Sequence, residues 1–199
     1  MFQRRPTTTW RRSPARAAAL MVGPHVSNFD MAALSIAARG VKMSALAFAL
    51  PPSGYSLQNE VRLAGGIDIM PIDVSALRKA LGVLKRGGLV ATAVDRPDPF
   101  GGGEMLPFFG REARLPVGHV RLALQTNSPI LVSSCEYRPT DHVYMVHISR
   151  WIEMERTGDR RRTCATTPCG CSTASNAWSR APGAMADVLP GLGRRFVSA

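Results

Sequence analysis

Residues 75–95, SALRKALGVLKRGGLVATAVD, set the strongest limit on the fold. Leu77, Ala80, Leu81 and Leu84 recur at helical spacing, with Arg78, Lys79, Lys85 and Arg86 mostly off that face. The segment therefore predicts an amphipathic helix. GLVATAVD then runs on without polar alternation, the pattern of a strand covered on both faces. A helix closed by glycines that feeds directly into such a strand belongs to a parallel sheet with crossover helices.

The same grammar repeats on either side. AALMVG reads as a strand, and NFDMAALSIAARG as a helix closing on Gly40. MSALAFAL fits a strand or a buried helix segment. SLQNEVRLAGG reads as a helix ended by Gly65 and Gly66, and IDIMPID as a short strand. RPDPFGGGEMLPFFGREARLP reads as a long Gly/Pro loop. VGHVRLALQTN predicts a helix, PILVSSCEYR a strand, and HVYMVHISRW a further strand able to pair with it. The expectation is an α/β fold: a mostly parallel central sheet with helices on both faces. In such sheets, function gathers where strand carboxyl ends meet helix N-termini. GPHVSNFD and DRPDPFGGGEMLPFFG both follow apolar strands, so both polar loops are expected at one crevice.

At 199 residues and 45% hydrophobic content the chain can bury one sizeable core. It has no run of the ~18 apolar residues that a spanning helix needs. The short ALMVG run behind the N-terminal arginines is too brief for a signal peptide, which gives the expectation of a cytoplasmic chain. The net charge of +11 would suit a partner such as nucleic acid or an anionic membrane. Its placement argues otherwise: residues 1–16 hold five arginines and no acid, and residues 156–199 hold seven arginines and two aspartates. The stretch between has thirteen basic and twelve acidic residues, whereas a nucleic-acid reader carries its basic stripe on the folded surface. The expected organisation is a disordered basic tail (1–16), a core (17–158) and a disordered or aberrant tail (159–199).

Cys164, Cys169 and Cys171 crowd into TCATTPCGC, with no second half to complete a zinc site. No metal is expected, and Cys135, alone in an apolar run, reads as a buried small hydrophobe. His119, His142 and His147 lie in or around regular elements and read as structural or exposed.

His25 differs because it lies in a loop just ahead of a helix start at Ser27 or Asn28, with Asp30 in the first turn. A carboxylate there could accept a hydrogen bond from one imidazole N–H and leave the other nitrogen as a base for a hydroxyl. Ser27-x-x-Asp30 equally reads as a capping box, with His25 capping or packing. The octapeptide alone supports both readings.

GPHVSNFDMAAL resembles the His-x4-Asp block of the lysophospholipid acyltransferase superfamily, most closely its lipid A biosynthesis branch, which includes the phosphatidylinositol mannoside acyltransferases. VDRPDPFGGGEMLPFFGREARLPVGHVRLALQTNSPILV is similar to that branch's second block, and the resemblance covers roughly residues 20–158. It implies a glycerolipid acyltransferase-like fold and transfer of a fatty acyl chain from an acyl thioester, acyl-CoA or acyl-carrier protein, to a hydroxyl of a lipid or glycolipid. No cofactor is implied beyond that co-substrate. On this reading His25 is the general base, Asp30 orients it, and Glu104 is a further catalytic candidate. Backbone N–H groups near Asn28 would face the oxyanion. Asn28 and Asp95 count among the substrate-binding candidates; Arg96, beside Asp95, is the leading phosphate ligand, followed by Arg62, Arg111 and Arg114, and Phe108 and Phe109 line the acyl path. The resemblance also implies a peripheral position on the cytoplasmic face of the inner membrane.

Two departures carry expectations of their own. The family's membrane-binding N-terminal portion is short here, so this form is expected to be cytoplasmic. Past IEMERTGDR the periodicity is lost, and codon freedom permits a shifted reading frame, on which the cysteine cluster has no function. The competing readings are an inactive fragment of such an enzyme, a basic module for anionic membranes or nucleic acid, and a hydrolase in which His25 activates water or Ser27.

Overall fold

The computed structural model describes residues 18–154, apart from Val26, 48–52, Val74, 97–102, 109–110 and Arg150; for residues 53–54, 106–108 and 111 it describes the backbone alone. The two tails and the three clustered cysteines lie outside the described residues.

The chain runs β1 (Ala19–Gly23), α1 (Phe29–Ala37), β2 (Met43–Ala47), α2 (Ser53–Ala64), β3 (Ile67–Pro71), α3 (Ala76–Lys85), β4 (Leu89–Ala93), β5 (Glu104–Phe108), β6 (Arg111–Leu115), α4 (Gly118–Thr126), β7 (Ile130–Arg138) and β8 (Val143–Ile148). A six-stranded sheet has the order β3-β2-β4-β1-β7-β8. Its first five strands are parallel and β8 closes the edge antiparallel to β7. MSALA is thus a strand, the first of the two forms its sequence allowed.

Period-two alternation sorts the strand residues into two cores. Leu20, Val22, Val90, Val94, Ile130 and Val132 pack with Ala80 and Leu84 of α3 and Leu122 and Ala123 of α4. Ala19, Met21, Met43, Ile67 and Leu131 pack on the opposite face with Ile36 of α1. The continuous apolar run of β4 is explained by its place in the middle of the sheet, where Val90 meets one core and Leu89 and Ala91 the other. Cys135 is buried in β7, and burial pushes its thiol above the ordinary 9.0.

Two expectations are corrected. Residues 104–115 form a hairpin, with Glu104 opposite Leu115 and Phe108 opposite Arg111, rather than an irregular loop. The glycine run ahead of it and the proline inside it masked a two-strand pattern whose antiparallel partner lies three residues on. On α3, Leu77 is 52% exposed and the buried line is Ala76, Ala80 and Leu84. The packed face is an i, i+4 row of small and large residues, rotated by one position from the leucine-rich stripe.

The end of β1 depends on close backbone approach. A Cβ on Gly23 would lie 2.6 Å from the carbonyl oxygen of Ser133 in β7, which leaves no room for a side chain unless the strands separate. Gly23→Ala should therefore cost about 1–3 kcal/mol, the usual range for overpacking. Urea unfolding would detect it as a lowered midpoint, and an unchanged midpoint would contradict the close packing.

Candidate active site

The sheet reverses its winding between β1 and β4. The helix after β1 covers one face, and the helices around β4 cover the other. At such a switch point the carboxyl ends of neighbouring strands part and leave a crevice. The β1–β4 register places Gly23 opposite Ala93, so His25 and Asp95, each two residues further on, come abreast.

They are hydrogen bonded. The His25 backbone N–H donates to Asp95 Oδ2 at 2.8 Å, and His25 Nδ1 lies 2.8 Å from Asp95 Oδ1. Both side chains are about four-fifths buried, at 21% and 18% exposure. Burial alone would raise the Asp95 carboxyl, but the hydrogen bonds from the His25 ring and backbone, together with its charge, hold it below the ordinary 3.8. An ionised carboxylate on Nδ1 favours the tautomer with N–H at that nitrogen and leaves Nε2 as the acceptor.

Asp30 hydrogen-bonds to α2 rather than to His25. Its carboxylate accepts from Arg62 Nε at 2.6 Å and from Gln58 Nε2, both on α2. Leu34, one turn further along α1, lies close to the same end of α2: a Cβ on Gly65, just past that helix, would collide with it. The capping box is also replaced. Asn28 is the N-cap, its side chain accepts from the Met31 N–H at 3.2 Å, and Ser27 sits ahead of it at φ 55°. Phe29 stands between the two charged pairs, in edge contact with the His25 ring at 4.8 Å and beneath the Arg62 guanidinium at 5.7 Å.

The other expected residues distribute as follows. Arg96, exposed, donates to the Tyr55 hydroxyl at 3.0 Å, which ties the β4 end to the first turn of α2. Glu104 is more than half exposed and faces Arg121 of α4 at 3.8 Å. Arg114 reaches the Gly103 carbonyl at 3.5 Å. The expectation for Phe109, and those for the Phe108 and Arg111 side chains, lie outside the described residues. His142 meets the Tyr137 hydroxyl and His147 meets Glu136, while His119 is buried on α4. A cavity of about 510 Å³ lined by Asp68, Met70, Ser75, Lys79 and Arg86 lies against β3 and α3 and shares no residue with this site.

The reading of the sequence placed Asp95 with the substrate and missed its contact with His25. The available signal was positional: both residues stand just beyond an apolar strand, after VG and after AV. Using it required knowing that β1 and β4, far apart in the chain, are neighbours.

The sequence is similar to known acyltransferases. A stretch of 121 residues, 59% of the chain, is 28% identical to the phosphatidylinositol mannoside acyltransferase of Mycobacterium tuberculosis strain H37Rv and spans 38% of that relative's length. Residues 9–167 match the bacterial lipid A biosynthesis acyltransferase family. With four-fifths of its length inside that match, the chain belongs to this family of acyltransferases.

Proposed function

We propose that the chain transfers a fatty acyl group from an acyl thioester to a hydroxyl of a lipid or glycolipid, with His25 as general base. The observation that carries the reading is the His25–Asp95 pair at the carboxyl ends of adjacent strands. A carboxylate holds Nδ1, so Nε2 can take a proton. In the reaction Nε2 removes the acceptor hydroxyl proton while the oxygen attacks the thioester carbonyl carbon. The tetrahedral oxyanion collapses, the C–S bond breaks, and the imidazolium returns the proton to the departing thiolate. N–H groups at the α1 start, which follows His25 in the chain, would receive the oxyanion.

This cycle needs no metal or redox cofactor. The mannoside acyltransferase name of the matched relative favours a phosphoinositol glycolipid as acceptor, at the cytoplasmic face of the membrane, and the donor is acyl-CoA or acyl-carrier protein. Glu104 and Arg114, on the hairpin, and Arg96 would contact the substrates from the β4 side.

The test is to incubate the protein and its His25→Ala variant with radiolabelled palmitoyl-CoA or palmitoyl-carrier protein and a lipid extract containing phosphatidylinositol mannosides. The expected result is a labelled lipid whose formation falls about a hundred- to ten-thousandfold in the variant. Equal labelling by both proteins would rule out His25 as the base. A folded wild-type chain that labels nothing would make it an inactive member.

A further inference from the structure

Phe29 is partly buried yet belongs to neither apolar core. It stands one turn ahead of Ala32 and two ahead of Ile36, on the row that α1 buries. Where that row leaves the core, its ring meets two polar groups instead. The His25 imidazole is perpendicular to it, with 4.8 Å between centroids and 88° between planes, and the Arg62 guanidinium lies over it at 5.7 Å. Perpendicular packing at that distance is a preferred geometry of aromatic pairs. A cation within about 6 Å of a ring face is attracted to it.

The surroundings hold the ring in that place. Ser27, between the two rings in the chain, has φ 55°, a left-handed conformation unfavourable for a residue with a Cβ. That turn separates His25 from the helix whose first residue is Phe29, and Asn28 caps the helix. From the other side, Arg62 is fixed by Asp30 at Nε and by Asn59 at Nη1. Helix α2 buries this arginine, 12% exposed, and leaves Leu57 and Val61 65% and 49% exposed. Asp95, by contrast, holds only the near half of His25, at the backbone N–H and Nδ1. Among the described residues no hydrogen bond reaches Nε2, the nitrogen that must face the acceptor hydroxyl. The plane of the imidazole is therefore left to packing, and Phe29 is the ring packed on it.

We propose that Phe29 is a positioning residue for the general base. It sets the plane of the His25 ring so that Nε2 points at the acceptor hydroxyl, and the Asp30–Arg62 pair clamps it there. Asp30 thereby acts on the histidine at one remove, through Arg62 and Phe29, while Asp95 is the direct partner. The proposal rests on the acyltransferase reading for what the base does, and part of its test is independent of that reading.

Steady-state transfer of radiolabelled palmitate to phosphatidylinositol mannosides is compared for the full chain and its Phe29→Leu, Phe29→Tyr, Asp30→Asn and Phe29→Leu/Asp30→Asn variants. Phe29→Leu keeps apolar bulk without the ring. Its kcat should fall about threefold to tenfold, the scale of one aromatic pair, with KM within about twofold, because the ring acts through the base. Phe29→Tyr, which retains the ring, should restore kcat. If Asp30 acts through Phe29, the double variant is no slower than Phe29→Leu alone, and effects that multiply would overturn the clamp. A merely structural Phe29 would lower the urea midpoint and leave kcat of the folded chain unchanged, which overturns the proposal. The imidazole also reports directly. Its ring C–H signals in the NMR spectrum of ¹³C-labelled protein, assigned by their loss in His25→Ala, lie in the ring current of Phe29 and should move in Phe29→Leu. Signals that stay in place are equally fatal. Should Phe29→Leu fail to fold, Phe29→Met, unbranched and able to fill the same gap, carries the same expectations, and absence of a nuclear Overhauser contact between the two rings in the wild-type chain would by itself refute the proposal. A wild-type chain that labels no lipid would defeat the acyltransferase reading, while the ring signals would still decide whether Phe29 holds the imidazole.

Discussion

Replacing Asp95 with asparagine should lower kcat/KM for acyl transfer by about 10³- to 10⁴-fold, the scale seen when the carboxylate behind a catalytic imidazole becomes an amide. Asp95 grips His25 twice, at the backbone N–H and at Nδ1. An asparagine could keep the backbone contact through its carbonyl oxygen, but its NH₂ would then face Nδ1. That nitrogen would be forced to accept, the ring proton would move to Nε2, and the base would be lost while the fold remained. An amide also carries no charge to stabilise the imidazolium formed during the reaction. The control is Asp30→Asn, which leaves both Asp95 contacts intact and removes the partner of Arg62. Its kcat should fall far less than that of Asp95→Asn. A large kcat loss in Asp30→Asn with near-normal Asp95→Asn would restore Asp30 as the orienting carboxylate and overturn the present assignment.

That contrast shows which parts of this molecule are readable from sequence. Elements dominated by local patterning were legible: β4 from its unbroken apolar run, α3 from its charged face, and the β7–β8 pair from two adjacent strand patterns. His25 stands out in the sequence because a histidine between a strand and a helix start has few structural duties. Its partner was not. Asp30 is close in the chain, and local reasoning favours near neighbours, but a helix residue in the first turn can turn its side chain sideways to the next helix. The sheet order brings together residues seventy positions apart through a register that no local window contains. α2 was read correctly as a helix, yet which face it buries depends on the charged groups waiting for it rather than on its own hydrophobic pattern. Leu77 makes the same point from the opposite side: a leucine on the expected face lies exposed because alanines fit more closely against the strands.

A second large effect concerns stability, and it comes from a histidine outside the site. His119 lies on α4 beside Val120, Leu122 and Ala123, all buried, and burial pushes its imidazole from 6.5 down to about 4. The cause is desolvation, which disfavours the charged ring. Because the folded value is depressed, the unfolded chain takes up the proton first as pH falls. The stability associated with a neutral His119 is therefore complete above pH 6.5 and is lost progressively down to about pH 4. The difference between those two values corresponds to about 3 kcal/mol, at 1.36 kcal/mol per unit, a large share of the stability of an ordinary domain. Asp73 and Asp95 are both held below the ordinary 3.8, so their contributions fade mostly at lower pH and leave the upper window to His119. Urea midpoints measured from pH 7 to pH 4.5 should fall steeply for the wild-type chain. In His119→Leu, which fills the same space without a titrating group, the curve should flatten over that interval. His142 and His147 are retained in the variant, so a slope that persisted after the substitution would have to come from them or from another group, and the buried imidazole of α4 would no longer account for sensitivity to acid.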